Sequence, residues 1–329
     1  MPGGWHGRVV SMQRSNGQAA PAGARLMRAA DLPLRDGVGA SCVALPAGPW
    51  ATVIDFLASR FPAIGRPEWE ARMQRGDVID ARGDAVAPQS PYRAHGQIFY
   101  YRNLAVETPI PFEETILFQD DWLVVADKPH FLPVTPSGGY LQQTLLVRLK
   151  RRLGIDTLAP MHRIDRDTAG IVLFTVQPHT RNRYQALFRD RAVAKIYEAI
   201  APWRAELALP LVYRSQLVQS GAFMQMQERA GVPNAETAVE LMEVRGRFAR
   251  YRLRPATGQK HQLRAHMAAL DIPIVNDRIY PHLYPAEIAA TAPDYSRPLQ
   301  LLAQSLAFTD PYSGQQRQFH SRLRLQFDI

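Results

Sequence analysis

The stretch that most restricts the fold runs from His162 to Val176, HRIDRDTAGIVLFTV, because it passes from dense charge to unbroken apolar sequence within a few residues. Its second half, GIVLFTV, is short, rich in β-branched residues and bounded by Pro178, the signature of a buried strand. The charged half cannot continue that strand, so it is a loop delivering Asp165, held between Arg163 and Arg166, to the edge of a sheet. Loops fixed by a rigid sheet are where reacting groups sit, since the scaffold sets their position and substrate can still reach them. On these residues alone, Asp165 is equally a turn or capping aspartate with arginine neighbours.

Further strand-like runs flank this one: ILFQ, WLVVAD, KIYEAI, TAVELMEV and FARYRLRP. Helical patterns are confined to Gln142 to Leu153, Thr180 to Arg189 and Lys260 to Leu270. Strands dominate and helices do not follow each of them, so the expected class is α+β with a mixed, mostly antiparallel sheet rather than a doubly wound fold. This domain spans 107–329 and is entered through a linker rich in Pro and Glu, Glu107 to Glu114. Ahead of it, 46–106 reads as a compact module. Val53, Ile54, Phe56, Leu57 and Phe61 predict a short helix, and Pro67 opens a second that carries Trp69 and Met73 and stops at Gly76. A hairpin is expected next, from Val78–Asp80 to the segment around Val86, turning at Gly83 and Asp84. Residues 1–45 are rich in Gly, Ala and Arg with no acid before Asp31, and read as a basic, partly flexible extension. A transit peptide shares that composition, but no clear amphipathic helix supports it.

Composition removes several classes. No apolar run approaches the roughly 20 residues of a membrane span, and no secretory signal opens the chain, so a soluble, cytoplasmic protein is expected. A single cysteine, Cys42, excludes an intramolecular disulfide and a cysteine-based metal site. A net charge of +9 over 329 residues favours polyanions through counterion release, without separating RNA from DNA or acidic membranes. The charge gathers around the Asp165 loop: Arg148, Lys150, Arg151 and Arg152 precede it, and Arg181, Arg183, Arg189, Arg191 and Lys195 follow. A solvated helix face and a phosphate-binding surface both fit such a run. The scarcity of nearby acids, Asp156 and Asp190 being the closest, favours phosphate.

No metal is implied. His261 and His266 fall about 140° apart around a helix, too far for one ion, and read as structural. Asp165 and Asp167 already have Arg163 and Arg166 beside them. No Gly-rich phosphate loop is present, so neither ATP nor NAD is expected.

Four segments, in order, resemble the RluA-type pseudouridine synthase family. WLVVADKPHFLPVTPSG, Trp122 to Gly138, is similar to its strand and Lys-Pro turn, and HRIDRDTAG to its catalytic loop, which puts the essential aspartate at Asp165. AKIYEAI resembles the strand carrying the active-site tyrosine, here Tyr197. RPATGQKHQLRAHMAALDIPIVND, Arg254 to Asp277, is similar to the Thr-Gly, His-Gln-Leu-Arg, Pro-Ile and Asp series, with the active-site arginine at Arg264. The resemblance covers the last two thirds of the chain. The module before it is similar to the alpha-L RNA-binding module, with Gly96-Gln97 where Gly-Asp is usual.

This resemblance implies isomerisation of uridine to pseudouridine in structured RNA, rRNA or tRNA, without a cofactor and by a monomer. The reaction breaks the N1 to C1′ bond and joins C5 to the same carbon. It needs a carboxylate that stabilises charge at C1′, attacks it or abstracts a sugar proton, and the sequence leaves these three open. Such an aspartate must stay ionised, which calls for a cation. Arg264 is the implied partner: a helix over 260–270 sets it about 100° from Leu263, at the edge of the stripe formed by Leu263, Met267 and Leu270. Without the resemblance, pairing with Asp271 fits as well. Tyr197 is suited to stacking on a flipped uracil. Arg163 is implied to support RNA whose target base has left its stack, and Arg148, Lys150, Arg151, Arg152 and Lys260 to meet phosphates. Lys260 supplies charge one place after Gln259, where a basic residue is frequent in the family. Asn276 stands where Gly is usual, and LLAQSLAFTDPYSG lacks the family's histidines. The alternative is a non-catalytic RNA-binding or ribosome-assembly protein that keeps the fold, against which the joint retention of Asp165, Tyr197 and Arg264 argues.

Overall fold

The computed structural model describes residues 26–104, 106–221, 224–284 and 294–327. The basic extension expected at the start of the chain lies, over residues 1–25, outside the described residues. The chain forms two units, residues 26–33 with Ala40–Tyr101, and Leu34–Gly39 with Arg102 onward.

In the first unit, β1 (Ser41–Ala44), α1 (Val53–Arg60), α2 (Arg66–Gln74), β2 (Val78–Asp80) and β3 (Gln97–Tyr100) follow one another. Thr52 starts α1 through a capping box: its hydroxyl accepts the Asp55 N–H, and the Asp55 carboxylate accepts the Thr52 N–H. Val53, Ile54, Phe56 and Leu57 then pack with Trp69 and Met73 of α2 over Val78, Ile98 and Tyr100 of the sheet. The strand order is β1-β3-β2, which corrects two expectations. β2 takes β3 as its ladder partner; the segment around Val86 turns back on β2 through Gly83 and Asp84 as expected, but only as far as the isolated bridge Ile79–Ala85, the Asp80 N–H bond to the Asp84 carbonyl and the Val86 N–H bond to the Val78 carbonyl, and forms no strand. QIFY buries Ile98, Phe99 and Tyr100, whereas the Val86 segment is broken by Pro88 and has little to bury. β1 also falls inside the stretch that reads as an extension; its four residues are too few to show periodicity.

The second unit holds β4 (Thr115–Gln119), β5 (Leu123–Lys128), α3 (Leu145–Leu153), β6 (Ala159–Pro160), β7 (Ala169–Thr175), α4 (Arg181–Arg189), β8 (Ala194–Pro202), β9 (Leu211–Gln219), β10 (Met226–Arg229), β11 (Ala235–Arg245), β12 (Phe248–Pro255), α5 (Gln262–Ala269), β13 (Leu301–Thr309) and β14 (Gln316–His320). Its sheet runs β10-β9-β11-β12-β8-β13-β7-β5-β4, with β14 beside β13 and β6 beside β7. Every ladder is antiparallel except β13 on β7, so the unit is α+β with a mixed, mostly antiparallel sheet. β5 and β7 read as unbroken apolar runs because both faces are covered. Val124, Ala126, Val172 and Phe174 join a core with Leu145 and Leu149 of α3. Leu123, Val125, Ile171 and Leu173 face Tyr184 of α4 on the other side. α5 covers the sheet further along, with Leu263 and Met267 against Ala199, Val239 and Leu253.

The loop and the sheet meet at Gly170. Its φ is +112°, and a Cβ there would lie 2.2 Å from the Ala303 carbonyl oxygen, where β7 and β13 run parallel. Only glycine fits. The Pro- and Glu-rich stretch is no loose linker: the Glu107 carboxylate accepts the N–H groups of Leu141, Gln142 and Gln143 at 2.8, 2.9 and 2.6 Å. Val38, from the 34–39 stretch, packs with Leu141 and Val147.

Candidate active site

The Asp165 loop is pinned on both flanks. His162 accepts the Leu173 N–H on Nε2 at 3.2 Å and stacks on Phe188 with centroids 4.4 Å apart. Burial, helped by Lys195, pulls its pKa to about 3, so the ring is neutral and free to accept. On the other flank, the fully buried Lys128 at the end of β5 donates to the carbonyls of Pro129 and Arg166, each at 2.9 Å. Burial lowers its ammonium to about 7 against the pull of Asp167 and Asp165. His130 Nδ1 lies 2.7 Å from the Asp167 carbonyl, and the Thr168 N–H closes a turn on the Asp165 carbonyl at 3.2 Å. With the backbone held this way, the Asp165 side chain keeps 29% of its surface exposed.

α5 brings the cation. Arg264 Nη1 donates to Asp165 Oδ2 at 3.1 Å, while Nε and Nη2 each reach Asp277 at 2.7 Å in a fork. Asp277 is buried and also accepts the N–H groups of Ile279 and Tyr280 at 2.8 and 3.0 Å. Burial opposes the charge on Arg264, but Asp277, then Asp165 and Asp167, outweigh it and raise its pKa, so the guanidinium stays charged. A bidentate carboxylate fixes the plane of the fork and so aims the third donor. Asp271, the other partner compatible with the sequence, pairs with Arg204 at 3.0 Å instead. Asp167 is turned away from Asp165's role: Arg166 holds it at 3.0 Å, and although burial works against its charge, Arg166 and Arg264 keep its pKa below the usual range.

Tyr197 sits on β8 opposite Leu253 and Ala303 and packs against the core under α5. Burial, then the Asp165 charge, push its phenol well above the ordinary value, so it is neutral within reach of the Asp165 charge. Asp165, Arg264 and Tyr197 therefore come together from three separate elements.

The cations expected to meet phosphates divide. Arg163 is exposed and makes no side-chain hydrogen bond or ion pair with any described residue, and Lys260 is exposed just before α5. Arg151 and Arg152 are exposed on α3. Arg148 and Lys150 are not available in that way, which corrects the four-residue cluster. Arg148 donates inward to the carbonyls of Phe112 and Ile110 at 2.6 and 2.8 Å and to the Gln143 side chain. Lys150 is buried, and that burial lowers its pKa against the pull of Asp156.

Sequence reasoning misses two participants. Asp277 carries no role of its own at the end of the Arg254 to Asp277 series, and His261 reads as structural, yet its Nε2 lies 3.8 Å from Asp165 Oδ2. A left-handed φ of 54° turns the ring inward, and no sequence pattern announces that. His266 is structural, as expected, with its nitrogens 2.9 Å from Thr237 Oγ1 and 3.1 Å from Ser215 Oγ. Asn276 replaces glycine because it tolerates its φ of 62°, and its side chain reaches the Pro298 carbonyl at 3.0 Å. Among the described residues, no three His, Cys, Asp or Glu side chains converge to hold a metal ion.

Comparison with known proteins agrees with this geometry. The family described as RNA pseudouridylate synthase matches residues 122–269. The dual-specificity RNA pseudouridine synthase RluA of Haemophilus influenzae is 30% identical over 218 residues, 63% of this chain and 92% of that protein. The tRNA pseudouridine synthase C of Vibrio cholerae is 31% identical over 220 residues, 61% and 87% of the two chains. Human RNA Pseudouridylate Synthase Domain Containing 1 shares the fold at a TM-score of 0.52 and 18% identity, covering 66% of this chain and 86% of its own. With its catalytic-loop wording, its sheet and its relatives in agreement, the chain belongs to the RluA-type RNA pseudouridine synthase family.

Proposed function

We propose that this protein converts uridines of structured RNA, rRNA or tRNA, to pseudouridine, with Asp165 as the carboxylate that acts at the ribose. The observation that carries this reading is the single guanidinium of Arg264 shared between buried Asp277 and part-exposed Asp165. Two of its donors are committed to Asp277, so the third meets Asp165 without reorganising and ties one carboxylate oxygen in place. As the N1 to C1′ bond breaks, its electron pair leaves with the uracil and C1′ becomes electron-poor. A carboxylate beside that carbon stabilises it, attacks it or takes a neighbouring proton. The neutral ring of Tyr197 stacks on the extruded base, and Arg163 lowers the cost of extrusion by occupying or bridging the vacated place. Arg151, Arg152 and Lys260 meet phosphates. No electron or atom is gained overall, so the reaction needs no cofactor.

The names of the two bacterial relatives, one dual-specificity for RNA and one for tRNA, support structured RNA as the substrate class. No helix of the described residues is long and apolar enough to cross a membrane. The reading adds a monomer acting in the cytoplasm. The test is Asp165→Asn, which keeps size and most hydrogen bonding but loses the anion. It should bind the same RNA within a few-fold and release no tritium from C5-labelled uridine in a single turnover. Release at the wild-type rate sinks the assignment of Asp165, and absence of release by the wild type from any cellular RNA favours a non-catalytic binder.

A further inference from the structure

Both partners of the Asp165 carboxylate approach the same oxygen. Arg264 Nη1 is 3.1 Å and His261 Nε2 is 3.8 Å from Oδ2, while Oδ1 accepts no hydrogen bond from any described residue. The His261 ring is only 6% exposed and lies between Asp165 and the hydroxyl of Tyr280, whose oxygen is 3.3 Å from Nδ1. That oxygen already accepts the Met226 N–H at 2.7 Å, so it has its own proton to give. Its possible acceptors are Nδ1 and the Met226 carbonyl, both at 3.3 Å. The choice falls on Nδ1, because a proton on Nδ1 would set the bare Nε2 lone pair against the carboxylate. Burial is the largest influence on His261 and lowers its pKa; Asp165 and Asp277 push it up, and Arg264 and Lys260 push it down. The ring is therefore a neutral donor with its Nε2–H aimed at Asp165.

We propose that His261 is a positioning residue that closes with Arg264 on Oδ2 of Asp165 and thereby presents Oδ1 to the ribose. The inference rests on Asp165 being the catalytic carboxylate. An aspartate held by one donor turns freely about its last torsion, which is broad for this side chain. A second donor from another direction, on the same oxygen, sets the plane. Being uncharged, it does so without adding a second cation beside Arg264. The contact is longer than a formed hydrogen bond in the free protein, and such bonds tighten when substrate arrives.

Two substitutions separate this role from a structural one. Asn suits left-handed backbone and keeps a polar group where Nδ1 lies, facing Tyr280, but is too short to reach Asp165. Gln is less suited to that backbone but places an amide N–H where Nε2 lies. His261→Asn should slow single-turnover tritium release at saturating RNA by about 10- to 100-fold, the usual loss for an outer orienting partner, with RNA affinity within about three-fold. His261→Gln should recover the rate to within a few-fold of wild type. A structural role predicts the opposite order, with Asn the better tolerated. The proposal is overturned if Gln is as slow as Asn, if Asn turns over at the wild-type rate, or if the loss lies in RNA affinity alone. Denaturation curves of both variants let rates be compared on the folded fraction. An active Asp165→Asn would instead sink the underlying assignment; an inactive one, with Asn faster than Gln at position 261, would sink only the role of His261.

Discussion

α3 and α5 each carry an arginine turned into the protein, and the two end in opposite uses. Arg148 on α3 spends its guanidinium on the carbonyls of Phe112 and Ile110 and on Gln143, all within the fold, and fastens the 107–114 stretch to the helix. Arg264 on α5 spends two donors on a buried carboxylate and keeps the third for Asp165, whose side chain remains part-exposed. The fork is the same chemistry in both places. Arg148 also lies 3.5 Å from the Glu114 carboxylate, so what differs is whether the partners are sealed in, as that carboxylate is at 7% exposure, or can be reached by substrate, as Asp165 can at 29%. An arginine is a candidate for function only in the second situation, and burial alone does not tell the two apart.

The sharpest way to break the contrast is Arg264→Lys. Lysine keeps the charge but cannot satisfy Asp277 and Asp165 together. It leaves the buried Asp277 badly paired, which should destabilise the protein by about 3–5 kcal/mol, and should cut single-turnover activity by about 10³-fold or more. Urea denaturation and tritium release read the two losses separately. If Lys retains activity within ten-fold of wild type, a point charge suffices and the aimed fork is not what matters.

A second prediction concerns how α5 is seated. His266 bridges α5 to Thr237 of β11 and Ser215 of β9, and burial, opposed only by Glu228, pulls its pKa to about 4. Unfolded, it titrates near 6.5. The folded value is depressed, so its contribution is complete above about pH 6.5 and is lost as pH falls from there toward 4, at about 1.4 kcal/mol per pH unit. His130, lowered to about 4 by burial, and His162, lowered to about 3, add slopes of the same sign. The urea midpoint should therefore fall between pH 7 and 5, and His266→Gln should flatten part of that fall. A variant with the wild-type pH slope would mean that His266 binds protons alike in the folded and unfolded protein.

Much of the contrast is legible in the sequence, and the failures have definite causes. β5 and β7 declare themselves because burial on both faces leaves an unbroken apolar run, and Gly170 is dictated by Ala303 2.2 Å from its missing Cβ. Asp165, Tyr197 and Arg264 emerge through motifs that local order preserves. β9 escapes because along LVYRSQLVQ only Leu217 is buried and the other positions are half-buried or exposed, which leaves a weak signal. Arg148 and Lys150 mislead because a cationic run looks the same whether its members face water or a neighbouring carbonyl. His261 gives no sign of its role because its place beside Asp165 follows from one left-handed residue and from a loop far back along the chain, and neither is written in periodicity.

A third prediction tests the α3 side of the contrast directly. Arg148→Ala should cost about 1–3 kcal/mol of stability, since it leaves the Ile110 and Phe112 carbonyls without their donors, and RNA binding by the folded protein should keep its salt dependence. A marked change in that dependence, with stability untouched, would return Arg148 to the RNA-binding set.

The smallest effect should come from the two arginines of α3 that do face water. Arg151 and Arg152 are exposed, and apart from Arg152's hydrogen bond to the Glu114 carbonyl at 3.2 Å and a distant approach to its carboxylate, nothing internal depends on them. Changing both to Ala should leave stability within about 0.5 kcal/mol of wild type, as for most surface substitutions. For every phosphate that goes unneutralised, the log-log salt slope of RNA binding should become shallower by about 0.7 to 0.9. Turnover at saturating RNA should hold, because these groups act before chemistry. Fluorescence titration at several salt concentrations gives the slope. A slope unchanged in the double variant would assign the whole of α3 to structure, and leave Arg163 and Lys260 as the cations through which the RNA is held.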